Sequence, residues 1–184
     1  MSTAAISTIA ELEQAPRPIE GGGYELDEGE LTYVPPDSAE QSGVIFTIQF
    51  LLRRFVDPRN LGRVFADTWF QLRSAVVRAP DVAFIPAVLL KDLDTKHALR
   101  VVPALVIEVL GPSQTARDLP PKIQQYREAG VSAIWAVDPG KHEVDVYGSE
   151  SLRTLRLDDT LEAPDMLPGF SLPVSQIFEG AKIA

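Results

Sequence analysis

The sequence predicts a single α/β domain of three layers, a central mixed sheet flanked by helices. Three observations carry this. The run Ala104-Leu105-Val106-Ile107-Glu108-Val109-Leu110 is almost continuously apolar, as in a strand buried on both faces. Residues 39–55 repeat apolar side chains at the helical period, so one stripe of a long helix faces a core. A second well-marked helix follows the apolar strand and leads into a further strand over Val131 to Asp138.

The elements follow in order. Residues 1–20 read as a flexible acidic arm with at most one helical turn, and Gly21-Gly22-Gly23 breaks whatever precedes it; residues 21–184 read as one domain. Tyr24 to Val34 forms a hairpin turning at Asp27-Glu28-Gly29. Pro35-Pro36 ends it, and Asp37 or Ser38 caps a helix from about Ala39 to Phe55, with Val44, Ile48, Leu51, Leu52 and Phe55 on its apolar stripe. Asp57-Pro58-Arg59-Asn60 stops that helix. Short strands follow at Val64-Phe65-Ala66 and Trp69 to Leu72. A third spans Ala75 to Ile85, where Pro80, lacking a ladder donor, demands a bend or a sheet edge. A polar connection over residues 86–102 precedes the apolar strand. The next helix has Asp118 as N-cap, Pro120 and Pro121 in its first turn and Gly130 as its stop. Glu143 to Tyr147 pairs back on Val131 to Asp138 across Pro139-Gly140, Leu152 to Leu157 is a last strand, and residues 167–174 pack as apolar loops.

Composition narrows the chemistry. With no cysteine, thiol catalysis, iron–sulfur clusters and cysteine-rich zinc sites are excluded. Only His97 and His142 are present, in a polar loop and at a hairpin, which argues against a multi-histidine metal site. Residues 1–40 hold nine acids against Arg17 alone, a net −8 of the chain's −9, so the remainder is nearly neutral. Arg53, Arg54, Arg59, Arg63, Arg73 and Arg78 cluster before Asp81; they are either a phosphate-holding surface or solvated arginines. Met1 to Ala10 lacks the basic lead of a secretory signal, and no run is long and apolar enough to span a bilayer, so a cytoplasmic location without membrane association is expected.

Glu108 is the sharpest anomaly, because a carboxylate in a buried strand is costly unless paired or neutralised. A divalent cation would neutralise it, with the Val109 backbone carbonyl as a further oxygen ligand; a buried lysine or arginine would serve equally. Asp81 stands where a strand bends at Pro80, so it is either a turn aspartate or a side chain aimed into a cleft. Trp135 reads as core, and Ser113 has no histidine placed to activate it.

Pro80-Asp81 followed by Glu108-Val109-Leu110 resembles the Pro-Asp…(Asp/Glu)-x-Lys pattern of the restriction-endonuclease-like superfamily. In particular the chain is similar to a branch of it, widespread in cyanobacteria, of restriction endonuclease domains without assigned function. The resemblance rests on Arg78-Ala79-Pro80-Asp81-Val82, Ile107 to Ser113, Asp118…Lys122…Tyr126 to Val131, Ile134 to Pro139 and Leu167 to Leu172, and covers roughly residues 24–178. It implies a restriction-endonuclease-like fold and a metal-dependent endonuclease cutting DNA phosphodiesters. Asp81, Glu108 and the Val109 carbonyl would hold Mg²⁺ or Mn²⁺, and a homodimer would suit double-strand cutting. Leu110 stands where the pattern places lysine; the branch moves that lysine onto the following helix, where Lys122 fits. Lys122 shares a helix face with Tyr126, a possible accessory residue. Glu40-Gln41 occupies the region where members of this branch often carry a histidine, so Glu40 is a candidate extra acidic ligand and Gln41 a candidate hydrogen-bonding substitute. Two other classes stay open: a catalytically inactive restriction-like module binding protein or nucleic acid, and a sugar hydrolase using paired carboxylates. Metal dependence separates the nuclease from both.

Overall fold

The computed structural model describes residues 7–111, 119–148 and 151–179. Its elements are α1 (Ile9–Gln14), β1 (Gly23–Asp27), β2 (Glu30–Val34), α2 (Ala39–Val56), β3 (Gly62–Ala66), β4 (Phe70–Arg73), β5 (Val76–Arg78) and β6 (Val82–Pro86). They continue with β7 (Leu105–Val109), α3 (Leu119–Ala129), β8 (Ala133–Asp138), β9 (Glu143–Tyr147), β10 (Leu152–Leu155), β11 (Thr160–Glu162), β12 (Ser171–Pro173) and α4 (Val174–Glu179). The central sheet has the order β10-β9-β8-β7-β6-β3. Only β7 and β8, joined through α3, run parallel; the other pairs are antiparallel, so the sheet is mixed as the sequence predicts.

Alternation along β7 explains the layers. Leu105, Ile107 and Val109 face one side with Val44, Ile48, Leu52 and Val56 of α2 and Ile177 and Phe178 of α4. Val106 faces the other, with Ile123 and Tyr126 of α3. Both faces of β7 are therefore covered, which accounts for its unbroken apolar run. Trp135 is core, 1% exposed.

A second sheet, β2-β1-β5-β4, packs on the α3 side, where Phe70 of β4 joins Ala83 and Ile85 of β6. The stretch read as one strand from Ala75 to Ile85 is thus two: β5 lies in the small sheet, β6 in the large one, and Pro80 sits at the handover. The β1–β2 hairpin turns through Glu28 (φ 49°) and Gly29 (φ 83°), both left-handed, the geometry whose twist matches antiparallel strands.

Helix α2 starts with a capping box between Ser38 and Gln41. Helix α3 stops in a Schellman motif: Gly130 (φ 95°) donates to Arg127 and Val131 to Tyr126. Its proposed N-cap, Asp118, and Ser113 lie outside the described residues.

The arm expected over residues 1–20 is anchored in part. Helix α1 carries a capping box between Thr8 and Glu11, and Leu12 is fully buried with Leu26, Val77 and Ala98. Glu13 accepts from the Ala98 amide at 2.9 Å and meets His97 at 3.0 Å, so His97 serves this docking. A single leucine is too short a signal for a period search, which is why a docked turn reads as a loose arm.

Candidate active site

The β6–β7 ladder ends at the pair Val82–Ile107, so Asp81, in the bend before β6, and Glu108, the next residue of β7, both stand at that end. Glu108 lies on the α3 side of β7, like Val106, and the charges of Asp81 and Glu108 act on one another. Asp81 closes the ladder by accepting the Val109 amide at 2.5 Å. Burial pushes the Asp81 carboxyl well above the usual range; the charge of Glu108 pushes the same way, and the Val109 amide opposes it.

Glu108 is 4% exposed. The Tyr126 hydroxyl donates to its Oε1 at 2.5 Å, and Lys122 Nζ stands 3.6 Å from its Oε2. Burial raises the Glu108 pKa, and the facing Lys122 charge offsets part of that rise. Burial and the neighbouring Glu108 charge also lift the Tyr126 phenol, which stays a hydrogen-bond donor. Lys122 and Tyr126, one turn apart on α3, thus take one carboxylate oxygen each.

Lys122 has a second partner. Its Nζ lies 3.2 Å from Glu25 of β1, which is 2% exposed. Burial opposes the ammonium charge, but Glu108 and Glu25 outweigh it and hold the Lys122 pKa at about 12. Glu25 is fixed in turn by Arg78 Nη1 at 2.8 Å and the Ala79 amide at 2.9 Å. Arg78 spans to Asp27 at 2.7 Å and to Gln125 Oε1 at 2.8 Å. A charged network from the small sheet therefore backs the site.

Sequence reading missed Glu25, Arg78 and Gln125. The signal for Glu25 was its place in the alternating hairpin Tyr24-Glu25-Leu26-Asp27, where an acid occupies a buried position. The suggested basic surface before Asp81 is not present as such. Arg78 is 3% exposed and internally paired, Arg73 pairs with Glu28, and Arg53 and Arg63 reach Asp57. Arg59 lies over the Phe55 ring. These arginines serve separate local partners because they alternate among different elements.

Gln41 reaches the site from the opposite layer. Its Nε2 donates to the Val109 carbonyl at 3.2 Å while its Oε1 accepts the Ser38 amide at 3.0 Å. A Cβ on Gly111 would lie 2.6 Å from the Gln41 carboxamide oxygen, so a larger residue there would displace the end of the Gln41 side chain. Glu40 is exposed and, among the described residues, forms no hydrogen bond or ion pair with Asp81, Glu108 or Lys122. Leu110 is half-buried beside Leu119 and Pro120.

A mixed sheet flanked by helices, with a glutamate buried in a central strand, an aspartate in the bend beside it and a lysine from the adjacent helix, has the form of a nuclease-like α/β domain of the restriction-endonuclease kind. The chain belongs to the Uma2 family, described as "Putative restriction endonuclease", whose pattern matches residues 9–175. That span takes in every element from α1 to β12. Among solved structures, the chain is similar to a "putative nuclease belonging to DUF820" from Anabaena variabilis, with a TM-score of 0.80 at 18% identity over 95% of this chain and 99% of the other. No curated protein matches the chain. No helix among the described residues is long and apolar enough to cross a membrane.

Proposed function

We propose that this protein is a divalent-cation-dependent endonuclease that hydrolyses DNA phosphodiester bonds, acting in the cytoplasm as a homodimer. The observation that carries the reading is the meeting of two carboxylates at the end of the β6–β7 ladder, Asp81 on the Val109 amide and Glu108 one residue before it, with Lys122 3.6 Å from Glu108. Two carboxylates facing one another in a poorly solvated cleft repel, and a cation between them relieves that repulsion.

The donor set suits a hard cation such as Mg²⁺ or Mn²⁺. Asp81, Glu108 and the second lone pair of the Val109 carbonyl are all oxygens. Among the described residues no cluster of three or more His, Asp or Glu side chains forms, so water and substrate oxygens would complete the shell, as Mg²⁺ favours. When bound, the ion supplies Lewis acidity toward the scissile phosphate and a lowered pKa for a coordinated water.

The chain's own groups have distinct tasks. With a pKa of about 12, Lys122 stays protonated, so it steadies negative charge on the phosphate rather than accepting a proton. Tyr126 fixes one oxygen of Glu108, which orients the other toward Lys122 and the cleft. Gln41 holds the Val109 carbonyl from behind.

The test is nicking of supercoiled plasmid with Mg²⁺, Mn²⁺ or chelator, by wild type and by Asp81→Ala and Lys122→Met, with folding checked by circular dichroism. Cleavage by wild type with metal alone, lost in both variants, is expected. Cleavage that survives chelation, or full activity in folded Asp81→Ala, would refute the site. One observation favours a second reading, an inactive restriction-like module that binds protein or nucleic acid: Lys122 and the Val109 carbonyl already have partners within the chain. Folded wild type that cuts nothing with either metal would decide for it.

A further inference from the structure

Helix α2 is amphipathic in an unusual sense. Its inner stripe, Val44, Ile48, Leu52 and Val56, is fully buried. Its outer face carries two large apolar rings, Phe46 at 68% and Phe50 at 54% exposure, stacked with centroids 6.4 Å apart. They line a shallow groove with Gln49, Arg53, Arg54, Asp57 and Pro58. Adjacent exposed aromatic rings on one helix mark an interaction surface more often than a solvent face.

We propose that this face binds a second copy of the chain, α2 packing antiparallel against α2 across a two-fold axis centred near Ile48. Charge placement selects this occupant. Glu40 lies eight residues before that midpoint, roughly 12 Å along the axis, and Arg54 six residues after it, roughly 9 Å. Fourteen residues is just under four helical turns, so Glu40 and Arg54 project from the same flank of α2. A lateral two-fold preserves the flank and reverses the direction. It therefore sets Glu40 of one copy beside Arg54 of the other, twice per dimer. Neither has an ion-pair partner among the described residues, whereas Arg53 is already engaged by Asp57. Between these two charge pairs the four phenylalanine rings meet at the centre. At roughly 150–250 Å² per whole side chain, the exposed 68% of Phe46 and 54% of Phe50 amount over two copies to roughly 370–610 Å², about half of the ~1,000 Å² that a specific interface requires. Glu40, considered above as a possible metal ligand, acquires a different role. This gives the homodimer proposed above its interface and rests on that part of the reading alone, not on nuclease activity.

The test measures association by sedimentation velocity across a concentration series, for the full chain and four variants at exposed positions. Wild type should dimerise. Phe46→Glu and Phe50→Glu should each weaken dimerisation on the order of a hundredfold while leaving the circular dichroism spectrum unchanged. Glu40→Arg and Arg54→Glu should each weaken it roughly tenfold. An equimolar mixture of those two single variants should regain wild-type affinity, because only the mixed dimer restores opposite charges at both positions. A monomeric wild type, a dimer indifferent to the phenylalanine variants, or a mixture no tighter than either charge variant alone would each overturn the proposal.

Discussion

Replacing Glu25 by glutamine isolates the electrostatic contribution of the network behind the site, because the shape is conserved and one charge is lost. Glu25 is 2% exposed and lies 2.8 Å from Arg78 and 3.2 Å from Lys122. At those separations each attraction is worth about 5–6 kcal/mol at an effective dielectric near 20, before desolvation is subtracted. Removing one partner of a buried pair costs about 3–5 kcal/mol. Arg78 retains Asp27, and Lys122 retains Glu108, so the lower end applies: about 3 kcal/mol. For a chain of this length that lowers Tm by roughly 6–12 °C. The Lys122 pKa should fall from about 12, since Glu25 is one of the two carboxylates that raise it. The sign places the full effect at neutral pH. A raised folded-state pKa stabilises wherever lysine is also protonated in the unfolded chain, and that contribution is lost as pH rises through about 12. Thermal unfolding at pH 7, with a carbon-13 titration of the Lys122 side chain, measures both. A Tm within 2 °C (well under the roughly 6 °C minimum expected) together with an unmoved Lys122 titration would refute the reasoning.

Two further predictions concern the carboxylate pair and the N-terminal helix. Asp81→Asn should stabilise the fold by roughly 0.5–2 kcal/mol at pH 7, because it removes a charge held in an unfavourable place while an amide oxygen can still accept the Val109 amide. The Asp81 pKa is raised in the folded state, so wild type loses stability as pH rises from the unfolded carboxylate value through the folded one; urea unfolding from pH 4 to 8 should show that loss diminished in Asp81→Asn, and an identical pH slope would refute it. Leu12→Ala should cost about 2–4 kcal/mol in urea unfolding, because the side chain is fully enclosed by Leu26, Val77 and Ala98; a cost under ~0.5 kcal/mol would mean α1 contributes nothing to the domain.

The periodic elements were legible in the sequence. The long stripe of α2, the unbroken apolar β7 and the Gly130 stop of α3 are local patterns, and such patterns identify an element from its own sequence. Asp81, Glu108 and Lys122 were singled out by their order and neighbours, and the fold brings Lys122 to Glu108 and Asp81 to the Val109 amide beside it. The backing network was not visible. Glu25 and Lys122 stand 97 residues apart, and Arg78 and Gln125 stand 47 apart, so no local pattern joins them. The same holds for the acidity of the first forty residues. Read as a block it suggested a solvated arm; in the fold, Glu25 and Asp27 are the counter-charges of Arg78 and Lys122. A charge sum over a segment carries no information about which strand it will face.

The seam at Pro80 has a consequence for how this domain could diversify. Arg78 anchors the small sheet and Asp81, three residues on, stands at the end of the large one; this crossing and the one from Ala66 of β3 to Phe70 of β4 tie the two sheets at the same end. The large sheet carries Asp81 and Glu108, while the small sheet supplies one wall and the countercharge for Lys122. Changes in the β1–β2 hairpin, or in the connection over residues 87–102, can reshape that wall without disturbing the β6–β7 ladder. The domain thus keeps the proposed site on the ladder of the large sheet and leaves the facing wall to a separate sheet that can vary independently.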